Sequence, residues 1–200
     1  MYRLMWAVAI AIAMTGGVAT AMEIPLSPAA ARAAVVAGLQ QKGIPAAYAA
    51  GGEWLPKADA EAPAPVGTSL TVETPFELLY FVSAEAAAQY REPDPQAIEE
   101  AIAMRTLDLD MLIFSDRVSA NDGARLVIRQ DGKIIQPVKN SVNHSSPTDR
   151  FWQHVHASFD SKKLNLSKPM TVILANAMIA SEYQRTVTEV RYTIDPTAIR

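Results

Sequence analysis

The chain contains no cysteine. A disulfide framework, a thiolate nucleophile, a Cys-ligated zinc or iron–sulfur centre and the acylated cysteine of a lipoprotein are therefore all excluded. Glycine is scarce as well, at 9 in 200 residues, and from Thr68 to Arg200 only Gly123 and Gly132 occur. A Walker-type phosphate loop or a dinucleotide fingerprint needs several closely spaced glycines so that backbone amides can approach the phosphate, and neither can be written here. Clustered cations are missing too. With 18 Lys and Arg against 21 Asp and Glu and a formal net charge of -3, the sequence carries no phosphate-tracking stripe, and no nucleic-acid partner is expected. Neither G-x-S-x-G nor H-E-x-x-H occurs, and three histidines leave few ways to assemble a Ser-His-Asp relay.

The first residues have the form of an export signal. Arg3 supplies a positive charge, Leu4 to Met14 is an uncharged apolar run, and Ala19 and Ala21 make the small-residue pattern that a signal peptidase reads. Cleavage is expected after Ala21, so residues 1–21 are read as a signal peptide. Crossing a bilayer as a helix takes about 18 or more apolar residues. The leader is broken by Thr15-Gly16-Gly17 and no later run approaches that length, so no transmembrane segment is expected once the signal is removed. Export without cysteine points to a bacterial periplasm or cell surface more than to a eukaryotic secretory route.

Residues 22–67 are rich in Ala and Pro and read as an N-terminal arm. Ser27 followed by Pro28 is an N-cap and first-turn pair, which predicts a helix near 28–42 that stops at Gly43. Residues 58–65 alternate Ala with Pro and acidic side chains, a composition that favours extended linker.

Residues 68–200 read as a β-domain. Thr68 to Thr74 alternates, and the apolar run from Phe76 to Ser83 reads as a second short strand separated from the first by Pro75. Asp94-Pro95 caps one amphipathic helix over roughly 95–105. Strands follow over 106–114, 124–130, 133–137, 151–159, 170–177 and 183–194, with Asp131-Gly132 as a two-residue hairpin turn. Seven or eight strands at about ten-residue spacing with one inserted helix predict a mainly β fold, an antiparallel β-sandwich of immunoglobulin-like type. A small β-barrel is the alternative.

One constellation has chemical potential. His154 and His156 are two residues apart on a strand, so both imidazoles point to the same face and can share a metal ion. Trp152 shares that face, Asp108 and Asp110 repeat the spacing on another strand, Asp160 follows, and His144 is placed in a preceding loop. Polar residues at these positions are also what the solvent face of any half-buried strand requires. Without a catalytic motif, the leading reading is an exported non-enzymatic domain that binds a protein, a peptide or a surface polymer through an open strand edge. The alternatives are a metal-binding domain or metalloenzyme built on His154 and His156, and a carrier of small apolar ligands in a barrel interior. No cofactor and no catalytic residue is assigned.

Overall fold

A computed structural model describes residues 22–40, 57–58, 68–114, 123–144, 152–179 and 187–198. The leader reading, the stop at Gly43 and most of the Ala/Pro stretch lie outside the described residues. The described chain is mainly β, with two antiparallel sheets and three helices. In chain order these are α1 (Pro28–Leu39), β1 (Lys57–Ala58), β2 (Thr68–Glu73), α2 (Pro75–Ala88), α3 (Pro95–Ala103), β3 (Thr106–Phe114), β4 (Arg125–Gln130), β5 (Lys133–Ile135), β6 (Lys139–His144), β7 (Trp152–Asp160), β8 (Met170–Ile179) and β9 (Val187–Ile194). One sheet runs β2-β3-β7-β6 and the other β1-β9-β8-β4-β5, where β1 is only two residues long.

The strands alternate as half-buried strands must. Leu70 and Val72 of β2, Leu107, Leu109, Met111 and Ile113 of β3, and Val155, Ala157 and Phe159 of β7 point inward. They meet Leu126 and Ile128 of β4, Val172 and Leu174 of β8, and Val190, Tyr192 and Ile194 of β9 in one core, which Met22 and Ile24 also join. The described strands form two separate sheets, not a closed barrel. The space between them is filled by side chains such as Leu70, Met111, Leu126 and Phe159, all fully buried. Among the described residues this removes the barrel alternative.

All three helices start with the same device, a polar cap followed by proline. Ser27 Oγ accepts from the Ala30 amide at 3.2 Å, Thr74 Oγ1 from the Glu77 amide at 3.2 Å, and Asp94 Oδ1 from the Gln96 amide at 3.0 Å. The expectation of a strand over 76–83, and of a single inserted helix, is thereby corrected. Two helices, α2 and α3, are inserted between β2 and β3. Thr74-Pro75-Phe76-Glu77 is a capping box, and Glu77 at its third helical position accepts a hydrogen bond from the Thr74 backbone. Helix α1 lies against α2, with Ala31, Ala34 and Leu79 in a second apolar cluster. At the closest approach a Cβ on Gly38 would stand 2.3 Å from the Tyr80 carbonyl oxygen, so only glycine lets the two backbones meet.

The hairpin turn is as the sequence implies: Asp131 and Gly132 have φ of 49° and 76°, the left-handed values of a type I′ turn. A further strand, β6, was not anticipated. It pairs with β7 along its length and places His144 on a strand and not in a loop.

Candidate metal centre

The outer face of the β2-β3-β7-β6 sheet is where the inward alternation leaves polar side chains. Register fixes who meets whom. On β3 and β7, Asp110 is paired with His156, Leu112 with His154 and Asp108 with Ser158; on β6, Ser141 is opposite His156 and Asn143 opposite His154. Asp110 therefore faces one imidazole directly across the ladder and the other on the diagonal, both within side-chain reach.

The carboxylate uses one oxygen for each ring. His154 Nδ1 lies 2.8 Å from Asp110 Oδ2, and His156 Nδ1 lies 3.5 Å from Asp110 Oδ1. At 2.8 Å the first is a hydrogen bond in which the ring N–H donates to the carboxylate, which sets the His154 tautomer. The second is too long to satisfy its oxygen: Asp110 Oδ1 is shielded from solvent and has no hydrogen-bond partner. The two rings stack nearly parallel, with centroids 5.6 Å apart and planes at 10°. One donor atom from each of Asp110, His154 and His156 lies within 4.8 Å of the other two. In a tetrahedral zinc site with bonds of about 2.0–2.1 Å the donor atoms stand roughly 3.3 Å apart, so small side-chain rotations close this set around an ion.

Two imidazoles and a carboxylate are borderline donors that suit zinc and its neighbours among divalent transition metals, and three protein ligands on an open sheet face leave further coordination positions to solvent. The His156 ring is 44% exposed and the Asp110 side chain 17%, so an ion here is reachable from outside while its carboxylate is held from below.

The other carboxylates read from the sequence are not brought to the imidazoles in the same way. Asp160 sits at the end of β7, paired with Thr106, and its Oδ1 accepts from the Lys162 amide at 3.0 Å to start a short 3-10 turn. Asp108 lies one step further along β3, beside Glu73 of β2. There it lines an open cavity of about 270 Å³ together with Glu73, Lys139, Ser141, Asn143 and His156. Burial first, then Asp110 and Asp108, push the Glu73 carboxyl above the usual carboxylate range, while His156 draws it down. Glu73, Ser141 and Asn143 were not singled out from sequence. For Glu73 the signal available was its place on the polar side of the alternating run Ser69 to Thr74.

Comparison with known proteins adds no assignment. No family model matches the chain, and no curated protein matches it. A crystal structure of a novel protein of unknown function from Burkholderia pseudomallei K96243 is similar over 85% of this chain and 88% of that one, at 12% identity and a TM-score of 0.36. A likeness of that strength supports no inference about function. Among the described residues, no helix is long and apolar enough to cross a membrane.

Proposed function

We propose that the chain is an exported, immunoglobulin-like sandwich domain that binds one divalent transition-metal ion through Asp110, His154 and His156. The observation that carries the metal reading is the convergence of both imidazoles on one carboxylate, with donor atoms from all three within 4.8 Å of one another. An outer strand face needs polar residues, but it does not need one Asp to offer each of its oxygens to a separate ring while Oδ1 is left without a hydrogen bond. Binding would bring the ion to one nitrogen of each ring and give Asp110 Oδ1 the partner it lacks.

The immunoglobulin-like reading is supported by strand order. Taken as successive letters A, B, C, C′, D, E, F and G, strands β2 to β9 give A-B-E-D in one sheet and G-F-C-C′ in the other, the arrangement of that sandwich class. Export is supported by the pattern of Arg3, the apolar run to Met14, and Ala19 and Ala21. The site occupies the outer face of the A-B-E-D sheet, away from the core.

The test is a zinc titration of the metal-free protein by calorimetry. One ion per chain in the wild type, and none in the His154→Ala, His156→Ala double variant that keeps the wild-type circular dichroism, is the expected result. Equal zinc uptake by both proteins, or none by either, would overturn the assignment.

A second reading, capture of an extended protein segment by a sheet edge, rests on β5. This three-residue strand ends its sheet, and Ile134 on it and Val138 just beyond it are 51% and 58% exposed. Charged replacement of both residues should then abolish partner capture without altering zinc binding; unchanged capture would refute this edge.

A further inference from the structure

The acidic face continues past Glu73 and Asp108 into a second cavity, of about 330 Å³, that Asp110, His154 and His156 do not line. Its walls are Glu73 and Thr74 at the end of β2, Glu77, Leu78 and Phe81 of α2, Met104, and Asp108 of β3. Three carboxyl groups and three large apolar side chains thus share one small chamber, with no basic residue among its walls. Arg105 is next in the chain to Met104, but its Nη1 donates to the carbonyl oxygens of Ile102 and Met104, both at 2.9 Å, and closes the end of α3.

The unexplained atom here is on Glu77. The residue is 8% exposed, and its Oε2 is shielded from solvent with no hydrogen-bond partner. One interaction is accounted for, the hydrogen bond from the Thr74 backbone in the capping box. A buried carboxylate oxygen left unpaired is costly and calls for an explanation. Asp108, which lines both this cavity and the neighbouring one, has its Oδ1 in the same condition.

We propose that this cavity is a binding site for a small organic ammonium ion, an amine with a compact apolar body, whose head pairs with Glu77, Glu73 and Asp108 and whose body lies on Leu78, Phe81 and Met104. A bare divalent cation fits the chamber poorly, because hard ions want a full shell of oxygens and the walls are largely hydrocarbon. A neutral apolar ligand fits no better, because it would leave three carboxyls unmatched. An alkylammonium answers both halves: three N–H donors for carboxylate oxygens, and carbon for the apolar wall. Phe81, whose ring stands edge-on to Tyr80 at 5.3 Å and 84°, can add the attraction of an aromatic face for a cation. The volume suits a ligand at the small end of ordinary binding cavities. This inference is independent of the metal reading, since none of its walls is one of the three proposed metal ligands.

The experiment is a titration of the full mature chain with 2-phenylethylamine at pH 8, followed through the methyl resonances of Leu78 and Met104, with 2-phenylethanol as the uncharged counterpart. Saturable shifts are expected with the amine, weakened about tenfold or more for the alcohol and for Glu77→Gln, as fits loss of a buried charge-assisted hydrogen bond. Glu73→Gln serves as a second variant and should weaken binding in the same direction, while the His154→Ala, His156→Ala protein should bind the amine as the wild type does. No saturable shift, equal binding of amine and alcohol, or wild-type binding by both Gln variants would overturn the proposal. Loss of amine binding in the double-histidine variant would overturn its independence from the metal site.

Discussion

Replacing Glu77 by Gln should change the stability of this protein by an amount that depends on pH in a defined way. Burial raises the Glu77 carboxyl from 4.5 to about 7, the Thr74 backbone hydrogen bond opposes the rise, and Glu73 adds to it. Below pH 4.5 both folded and unfolded chains hold the proton, and nothing is lost. Above 4.5 the unfolded chain releases it while the folded chain keeps it, so stability falls with rising pH, by roughly 1.4 kcal/mol per pH unit, until the folded group ionises near 7. The full loss is about 3 kcal/mol, reached above neutrality. Gln cannot ionise, and at this position it can still accept from the Thr74 amide. Its side-chain NH2 introduces a donor that has no partner, at a cost of about 1–3 kcal/mol, but that cost is the same at every pH. The diagnostic is therefore the slope. Urea unfolding of wild type and Glu77→Gln, compared at pH 5 and pH 8, should show the variant gaining about 2 kcal/mol on the wild type between the two. A difference in unfolding free energy that is flat across this range would refute the argument that Glu77 is buried and without a countercharge.

Other consequences can be checked as directly. Gly38→Ala places a methyl against the Tyr80 carbonyl and 2.7 Å from Ser83 Cβ, which should cost roughly 1–3 kcal/mol in chemical unfolding despite the better helix propensity of Ala. Gln130→Ala should cost about 2 kcal/mol or more and speed amide exchange at Asn165. Its Oε1 accepts the Asn165 amide at 2.8 Å and its Nε2 donates to the Asn165 and Lys168 carbonyls, pinning the β7–β8 turn to the end of β4. Asp110→Ala should cost the metal-free protein about 1 kcal/mol, the net worth of the one hydrogen bond it accepts from His154, yet remove the zinc-dependent rise in thermal midpoint. In the wild type that rise corresponds to about 3 kcal/mol at a hundredfold excess over the dissociation constant.

What the sequence made legible followed from local rules. The alternation of β7 puts His154 and His156 on one face whatever the rest of the fold does, and Asp131-Gly132 announces its turn through the backbone angles it must adopt. The choice of carboxylate was not local. Asp108, Asp110 and Asp160 all carry the same chemistry, and only the register of β3 on β7, set by how the inner faces pack, brings Asp110 opposite His156. Helix α2 was misread because Leu78 to Val82 is a continuous apolar and aromatic run without a helical stripe, although only Leu79 of the five is buried. The capping box at Thr74 and Glu77 was the signal that could have corrected it. Strand β6 was invisible for the opposite reason: Lys139 to His144 holds one apolar residue, Val142, and owes its strand form to pairing with β7.

The central claim is that both imidazoles and Asp110 hold one ion, and the most direct test reads the ring nitrogens themselves. Long-range 15N–1H spectra of the metal-free protein, recorded before and after one equivalent of zinc, report the state of Nδ1 and Nε2 in His154 and His156 separately. One nitrogen in each ring should move to the metal-bound position together at a single equivalent, and neither ring should respond in Asp110→Ala. Spectra of both rings unchanged by zinc, or a full response in Asp110→Ala, would contradict it.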